Sequence, residues 1–113
     1  MITKPEAAAA IDVHADVMRY VGALIRRTRN MPSLLLGASP RAGVDLQAAA
    51  KGLALVRGRS YVTPDEVKQM AAAVLRHRLP LQPEAEIEGR TVDSVLEDVF
   101  SQVDVPRMND ADA

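Results

Sequence analysis

A chain of 113 residues holds one domain at most, and 48% hydrophobic residues with only 3% aromatics call for a core of Leu, Val, Ile, Met and Ala, a helical palette. The absence of Cys excludes disulfides, thiolate metal sites and thiol catalysis. A net charge of −1 argues against generic nucleic-acid binding, yet it hides an asymmetry: residues 1–80 carry 12 Lys and Arg against 6 Asp and Glu, whereas residues 81–113 carry 2 against 9. The plain reading is that the acidic third aids solubility and screens the basic part; the sharper one is that the basic part faces an anion.

At the N-terminus, MITKPEAAAAIDV has an Ala run without the strong apolar block of a secretory signal. No apolar run approaches the roughly 18 residues of a membrane span, so a cytoplasmic protein is expected. The first helix is read from Val13, Val17, Tyr20, Val21, Leu24 and Ile25, one apolar stripe at helical spacing. Asp12 or His14 can cap it, and Asn30 and Pro32 stop it. Arg26, Arg27 and Arg29 crowd its C-terminal end, where helix-end electrostatics explain them better than a nucleic-acid patch does.

The second helix opens in LLLGASPRAGVDL, residues 34–46, where Ser39 is a preferred N-cap and Pro40 suits the first helical position. Arg41 then falls in the first turn, where the positive end of the helix dipole disfavours a cation by roughly 0.3–1 kcal/mol. Some negative charge should therefore meet this guanidinium, and the nearest in sequence is Asp45, one turn on. Leu46, Ala49, Ala50, Leu53 and Ala54 line one face, and Gly58 stands where a left-handed C-cap residue is wanted. Gly52, which costs about 1 kcal/mol relative to Ala inside a helix, suggests tight packing there.

Thr63-Pro64-Asp65-Glu66 is a capping box for the third helix, with Val62 and Val67 as a hydrophobic staple and Val67, Met70, Ala71, Val74 and Leu75 as its stripe. Leu79-Pro80 ends it. LPLQPEAEIEG, with two prolines and a glycine, reads as a loop or short extended arm. The fourth helix runs from a Thr91 cap through Val92, Val95, Leu96, Val99, Phe100 and Val103 to Pro106. Tyr61-Val62 with Leu81 or Ile87 is the candidate for a tiny strand pair, and residues 107–113 read as a disordered tail. The pattern is all-α: four helices and at most a very short two-stranded β element.

Little chemistry is present. No G-x-x-x-x-G-K-[ST] loop occurs, and Asp65-Glu66 already have a structural role at a helix cap rather than on a strand that could hold Mg²⁺. His14 and His77 lack a second ligand at metal spacing, and no Ser has a His and an acid beside it. An enzyme complete in itself is not expected: no catalytic residue and no metal ligand can be named.

GASPRAGVDLQAAAKGLALVRGRSYVTPDEVKQMAAAVLRHRL, residues 37–79, resembles the C-terminal lid domain of MoxR-type AAA+ ATPases, and YVGALIRRTRN before it and EAEIEG and VDVP after it extend the likeness from about residue 11 to residue 106. The joint occurrence of GASPRA, GR-x-YV-x-P-x-x-V and VL-x-HRL in this order carries the assignment. The resemblance implies a small four-helix lid-type bundle that follows an αβα nucleotide-binding domain of the same protein. Residues 1–10 would be a remnant of the interdomain linker, residues 11–106 the lid, and residues 107–113 the tail. It also implies that Arg41 is the second sensor, reaching the γ-phosphate of ATP, with Ser39, Pro40 and Ala42 forming the helix N-terminus near the nucleotide. Mg²⁺ would be held by the absent domain. The phosphate-binding loop, the Mg²⁺-holding acids, the first sensor and the arginine finger all lie outside this chain, which is therefore expected to be a piece of a longer ATPase.

An anion near a helix N-terminus meets free N–H groups, and a charge-assisted bond from Arg41 worth roughly 1.5–3 kcal/mol would exceed the dipole penalty. The family's theme implies a ring of subunits, a homo-hexamer, that remodels other proteins, with von Willebrand A-domain proteins among its partners and neither nucleic acid nor a membrane. Gly43 and Gly52 depart from the family's preference for larger or helix-favouring residues. The rival reading is a stand-alone helical adaptor docking on a partner protein, and a DNA-binding helical domain comes last because of the acidic segment.

Overall fold

The computed structural model describes residues 10–107. Five helices follow in order: α1 (Ala15–Thr28), α2 (Pro40–Val56), α3 (Pro64–Leu75), α4 (Pro83–Ile87) and α5 (Val92–Gln102). α2 and α3 form the most extensive pair; α1 packs on α2, α3 and α5, and α3 also touches α5. Residues 1–9 of the expected linker and 108–113 of the expected tail lie outside the described residues.

The boundaries follow from the caps. His14 is the N-cap of α1, and Asp16 lies in the first turn with Arg26 and Arg27 in the last, each charge placed favourably on the helix dipole. At α3 the expected capping box forms, the Thr63 side chain accepting from the Glu66 backbone and the Glu66 carboxylate accepting from the Thr63 N–H at 3.0 Å, and the Thr63 hydroxyl also donates to Glu66 at 2.8 Å. At α5, the Thr91 hydroxyl accepts from the Ser94 N–H and Ser94 returns a bond to the Thr91 N–H, each at 3.1 Å. α2 ends in a Schellman motif: Gly58 takes φ +74°, its N–H donates to the Leu55 carbonyl at 3.0 Å, and the Arg59 N–H reaches back to Ala54 at 2.9 Å.

The core is aliphatic and continuous. Val17 and Leu24 of α1, Leu46 of α2, Val62 and Val67 around the start of α3, Leu75 and Leu79 at its far end, and Val95, Leu96 and Val99 of α5 are all essentially inaccessible. On α2 the buried residues are Ala42, Leu46, Ala50 and Ala54, one every four positions, so that its contact face is mostly methyl groups. Ala49 and Leu53, expected on that face, are only half-buried.

Four expectations are corrected. LPLQPEAEIEG is not an extended arm: Pro83 starts α4, and Gly89 at φ +86° closes it with a second Schellman motif, its N–H on Glu86 at 3.0 Å and that of Arg90 on Ala85 at 2.9 Å. The strand-like residues do not pair with one another. Tyr61 bridges Asp12 in parallel and Leu81 bridges Leu34 antiparallel, while Ile87 sits in α4 with its side chain exposed. Gly52 marks no tight packing, since nothing lies within 4 Å of where its Cβ would be. Ser39 holds the N-cap position of α2, but its hydroxyl makes no capping bond.

Candidate functional site

The start of α2 is fixed by α1. The Thr28 hydroxyl, buried in the last turn of α1, donates to the Ile25 carbonyl at 2.6 Å and accepts the Ala38 N–H at 2.9 Å. Arg29 Nε closes the attachment on the Ala38 carbonyl at 3.1 Å. This binding draws the chain so close to α1 that a Cβ on Gly37 would stand 2.6 Å from Arg29 Cα and 2.7 Å from its backbone nitrogen. The glycine of GASPRA is thus required by space and not by a positive φ. Pro40 then opens α2 between two hollows, one bordered by Leu35, Leu36 and Ser39, the other by Gly22, Ile25 and Gly43.

Among the residues expected at a site, Ser39, Pro40 and Arg41 are exposed on this rim, whereas Ala42 is fully buried and its N–H donates to the Ser39 carbonyl at 3.0 Å. The Arg41 side chain is 82% accessible. The first turn of α2 contains no acid, so nothing within that turn offsets its charge. Asp45 does meet it, but at 3.5 Å through Nε, the long end of a hydrogen bond. The other oxygen of Asp45 is held at 2.7 Å by Arg78, which sits in the turn after α3. That bond is the first cause holding the Asp45 carboxyl below its ordinary range; the charges of Arg78 and Arg41 add to it against a desolvation that works the other way. Two guanidiniums therefore share one carboxylate, leaving the rim net positive beside exposed Leu35, Leu36 and Val44.

At the opposite end of α2, Arg57 donates to Glu66 at 2.8 Å, Asp65 at 3.0 Å and Gln69 at 2.7 Å, tying the α2 C-terminus to the α3 N-terminus. The Asp65 and Glu66 carboxylates raise the Arg57 pKa above the usual guanidinium value. Glu66 is completely buried, so the Asp65-Glu66 pair serves architecture. Among the described residues no three His, Cys, Asp or Glu side chains come together as a metal site, and no helix is long and apolar enough to cross a membrane.

Sequence reasoning missed Thr28 and Arg78. Thr28 lies among arginines that draw attention as a charge cluster, and Arg78 stands just before the Leu79-Pro80 stop of the third helix; each acts on a partner remote in sequence, at Ala38 and Asp45.

The profile of the AAA lid domain family matches residues 26–99. The chain is 38% identical over 113 residues to the chaperone MoxR1 of Mycobacterium tuberculosis, covering 92% of this chain and 30% of that protein. It is 38% identical over 97 residues to the uncharacterized protein YeaC of Bacillus subtilis, again covering 30% of it. A shorter match, 39% over 64 residues, joins it to the magnesium-chelatase subunit ChlI of Cyanophora paradoxa. A crystal structure from Cytophaga hutchinsonii, of a protein assigned as an ATPase, superposes with a TM-score of 0.84 at 28% identity, covering 89% of this chain and 33% of that one. The chain thus spans about a third of the length of these longer relatives. It belongs to the AAA lid domain family, and within that family it is a lid of the MoxR type.

Proposed function

We propose that this lid reports the state of a nucleotide bound by an αβα AAA+ domain of the same protein, and that Arg41 is the residue that does so. One observation carries the reading: Arg41 stands at an acid-free helix N-terminus, 82% accessible and, among the described residues, held only by a 3.5 Å bond to a carboxylate that Arg78 already occupies. An arginine so placed is destabilised by the dipole and weakly restrained, which is the condition for leaving toward a stronger anion. The γ-phosphate of ATP is such an anion, and a guanidinium can meet two of its oxygens at once. ADP lacks that group, so the two nucleotides differ in their contacts with the lid, the requirement for either to shift its position.

In this reading ATP, with Mg²⁺ held by the αβα domain, supplies the reactive phosphoanhydride, and hydrolysis occurs in that domain. Ser39 and Pro40 line the rim, Ala42 seats the first turn of α2 on the core, and Thr28 with Gly37 fixes where the helix begins. Lid movement would then pass around a ring of subunits, a hexamer, and drive the remodelling of partner proteins, von Willebrand A-domain proteins among them. The chaperone MoxR1 and the ATPase of C. hutchinsonii favour this theme by likeness.

The test is Arg41→Ala in the intact ATPase that carries this lid. Turnover should fall, and the preference for ATP over ADP should shrink by about tenfold or more, the worth of one charge-assisted phosphate contact. The helical content and melting of the 113-residue chain itself should stay unchanged. Normal turnover with normal ATP/ADP discrimination would refute the sensor role.

A further inference from the structure

We infer that Arg78 is a positioning residue for Arg41, acting through Asp45: by occupying that carboxylate it keeps Arg41 free to leave. The inference rests on the sensor reading above and adds the device that sets how readily the sensor is released.

The geometry is asymmetric. The two oxygens of Asp45 are divided between two arginines, Oδ2 at 2.7 Å from Arg78 and Oδ1 at 3.5 Å from Arg41. The tighter partner comes from a different element. Arg78 is anchored in the turn after α3, where its N–H donates to Leu75 at 2.9 Å and where the next residue, Leu79, is buried in the core. Among the described residues Arg41 is bound only within its own helix, through Nε, and its two terminal nitrogens have no hydrogen-bond partner there. Those are the nitrogens a bidentate phosphate contact uses.

Consider the site without Arg78. Asp45 would carry an uncompensated charge, with Arg41 as its one neighbouring cation, and the pair would tighten. An incoming phosphate would then have to break a stronger ion pair and approach an unscreened carboxylate. Both effects act against the charged γ-phosphate and leave ADP almost untouched. With Arg78 in place the negative charge is already matched by a side chain that does not need to move, so that Arg41 is both surplus and mobile. A carboxylate that merely stapled α2 to α3 would need Arg78 alone.

The experiment measures binding of fluorescent ATP and ADP analogues to the intact lid-bearing ATPase with the wild-type lid and with Arg41→Ala, Arg78→Gln, Asp45→Asn and the double variant Arg78→Gln/Asp45→Asn. Arg78→Gln should lower the ATP-to-ADP affinity ratio by about two- to five-fold, the range that coupling in an exposed pair spans. Adding Asp45→Asn should restore the ratio, because nothing is left to hold Arg41. A merely structural role for Arg78 would not be rescued by removing a second side chain. If Arg41→Ala lowers the ratio while Arg78→Gln does not, or if the double variant stays as weak as the single one, the positioning role is overturned and the sensor reading stands. If Arg41→Ala itself leaves the ratio unchanged, the sensor reading fails and the positioning role falls with it. Circular dichroism and melting of each variant lid identify any that has lost its fold, and Arg78→Lys, which retains the charge, should then keep the wild-type ratio.

Discussion

Arg41 and Gly52 in α2 both break the ordinary preferences of a helix, and their surroundings separate them. Arg41 is a cation in a first turn, and it comes with a second arginine, a shared carboxylate and an open rim. Gly52 is a glycine in a helix interior, and it comes with nothing: among the described residues, no atom beyond its chain neighbours and its own helix backbone lies within 4 Å of the position a Cβ would take. The first departure is the one to which the proposed sensor role gives a use; the second is a plain loss of backbone order. Gly52→Ala should therefore stabilise the chain by about 0.5–1 kcal/mol, by relieving the unfolded state of glycine's extra freedom. Denaturant unfolding followed by circular dichroism reads this directly, and a midpoint that falls would mean that α2 needs flexibility or close approach at that turn.

At the scale of elements, the junction between α1 and α2 matters most, because it decides where α2 begins and so where Arg41 stands. The Thr28 hydroxyl, both donating and accepting inside the core, holds it together with Arg29 on the Ala38 carbonyl. Thr28→Val keeps the shape but leaves the buried Ala38 N–H without an acceptor, which should cost about 1–3 kcal/mol. Thr28→Ser, which retains both bonds, should cost less, and an equal loss in both variants would assign the effect to packing instead. How far the elements could be read from sequence follows from the range of the forces that make them. α1, α2, α3 and α5 were legible because their stripes repeat at helical spacing and their ends carry local chemistry: the Thr63–Glu66 box, the Thr91–Ser94 pair, and Gly58 at a left-handed cap. α4 was not, because five residues cannot display a period; Pro83 and Gly89, the same punctuation that bounds longer helices, look like a loop when so close together. The bridges of Tyr61 to Asp12 and of Leu81 to Leu34 join remote segments, and local pattern cannot choose among remote partners. The candidate site divides in the same way. Arg41 was visible as a local electrostatic conflict, whereas Arg78 enters only once the turn after α3 has been brought to Asp45.

At the scale of the whole molecule, the core is one continuous cluster in which α1 touches α2, α3 and α5, so a perturbation inside α1 should be felt as global stability and not as local fraying. Tyr20 provides that perturbation. It is 2% exposed, and its hydroxyl has no hydrogen-bond partner among the described residues. Burial raises its pKa above the ordinary 10.0, since the phenolate would lose its hydration inside the core. The sign of the consequence is fixed by linkage: the folded chain keeps this proton at a pH where the unfolded chain releases it. The contribution of Tyr20 is therefore fully present below pH 10.0 and is lost as the pH rises toward and through the raised folded-state value. Tyr20→Phe removes the titration and the unpartnered hydroxyl together. It should stabilise the chain by about 1 kcal/mol at neutral pH, where only the desolvated hydroxyl matters. Above pH 10.0 its advantage over wild type should widen, because only the wild-type chain then loses stability through this group. Denaturant midpoints measured at neutral and alkaline pH decide the matter. A gap between the two proteins that stays constant across that range would show that the Tyr20 hydroxyl is hydrated in solution, and with it that this part of α1 is not sealed in the core.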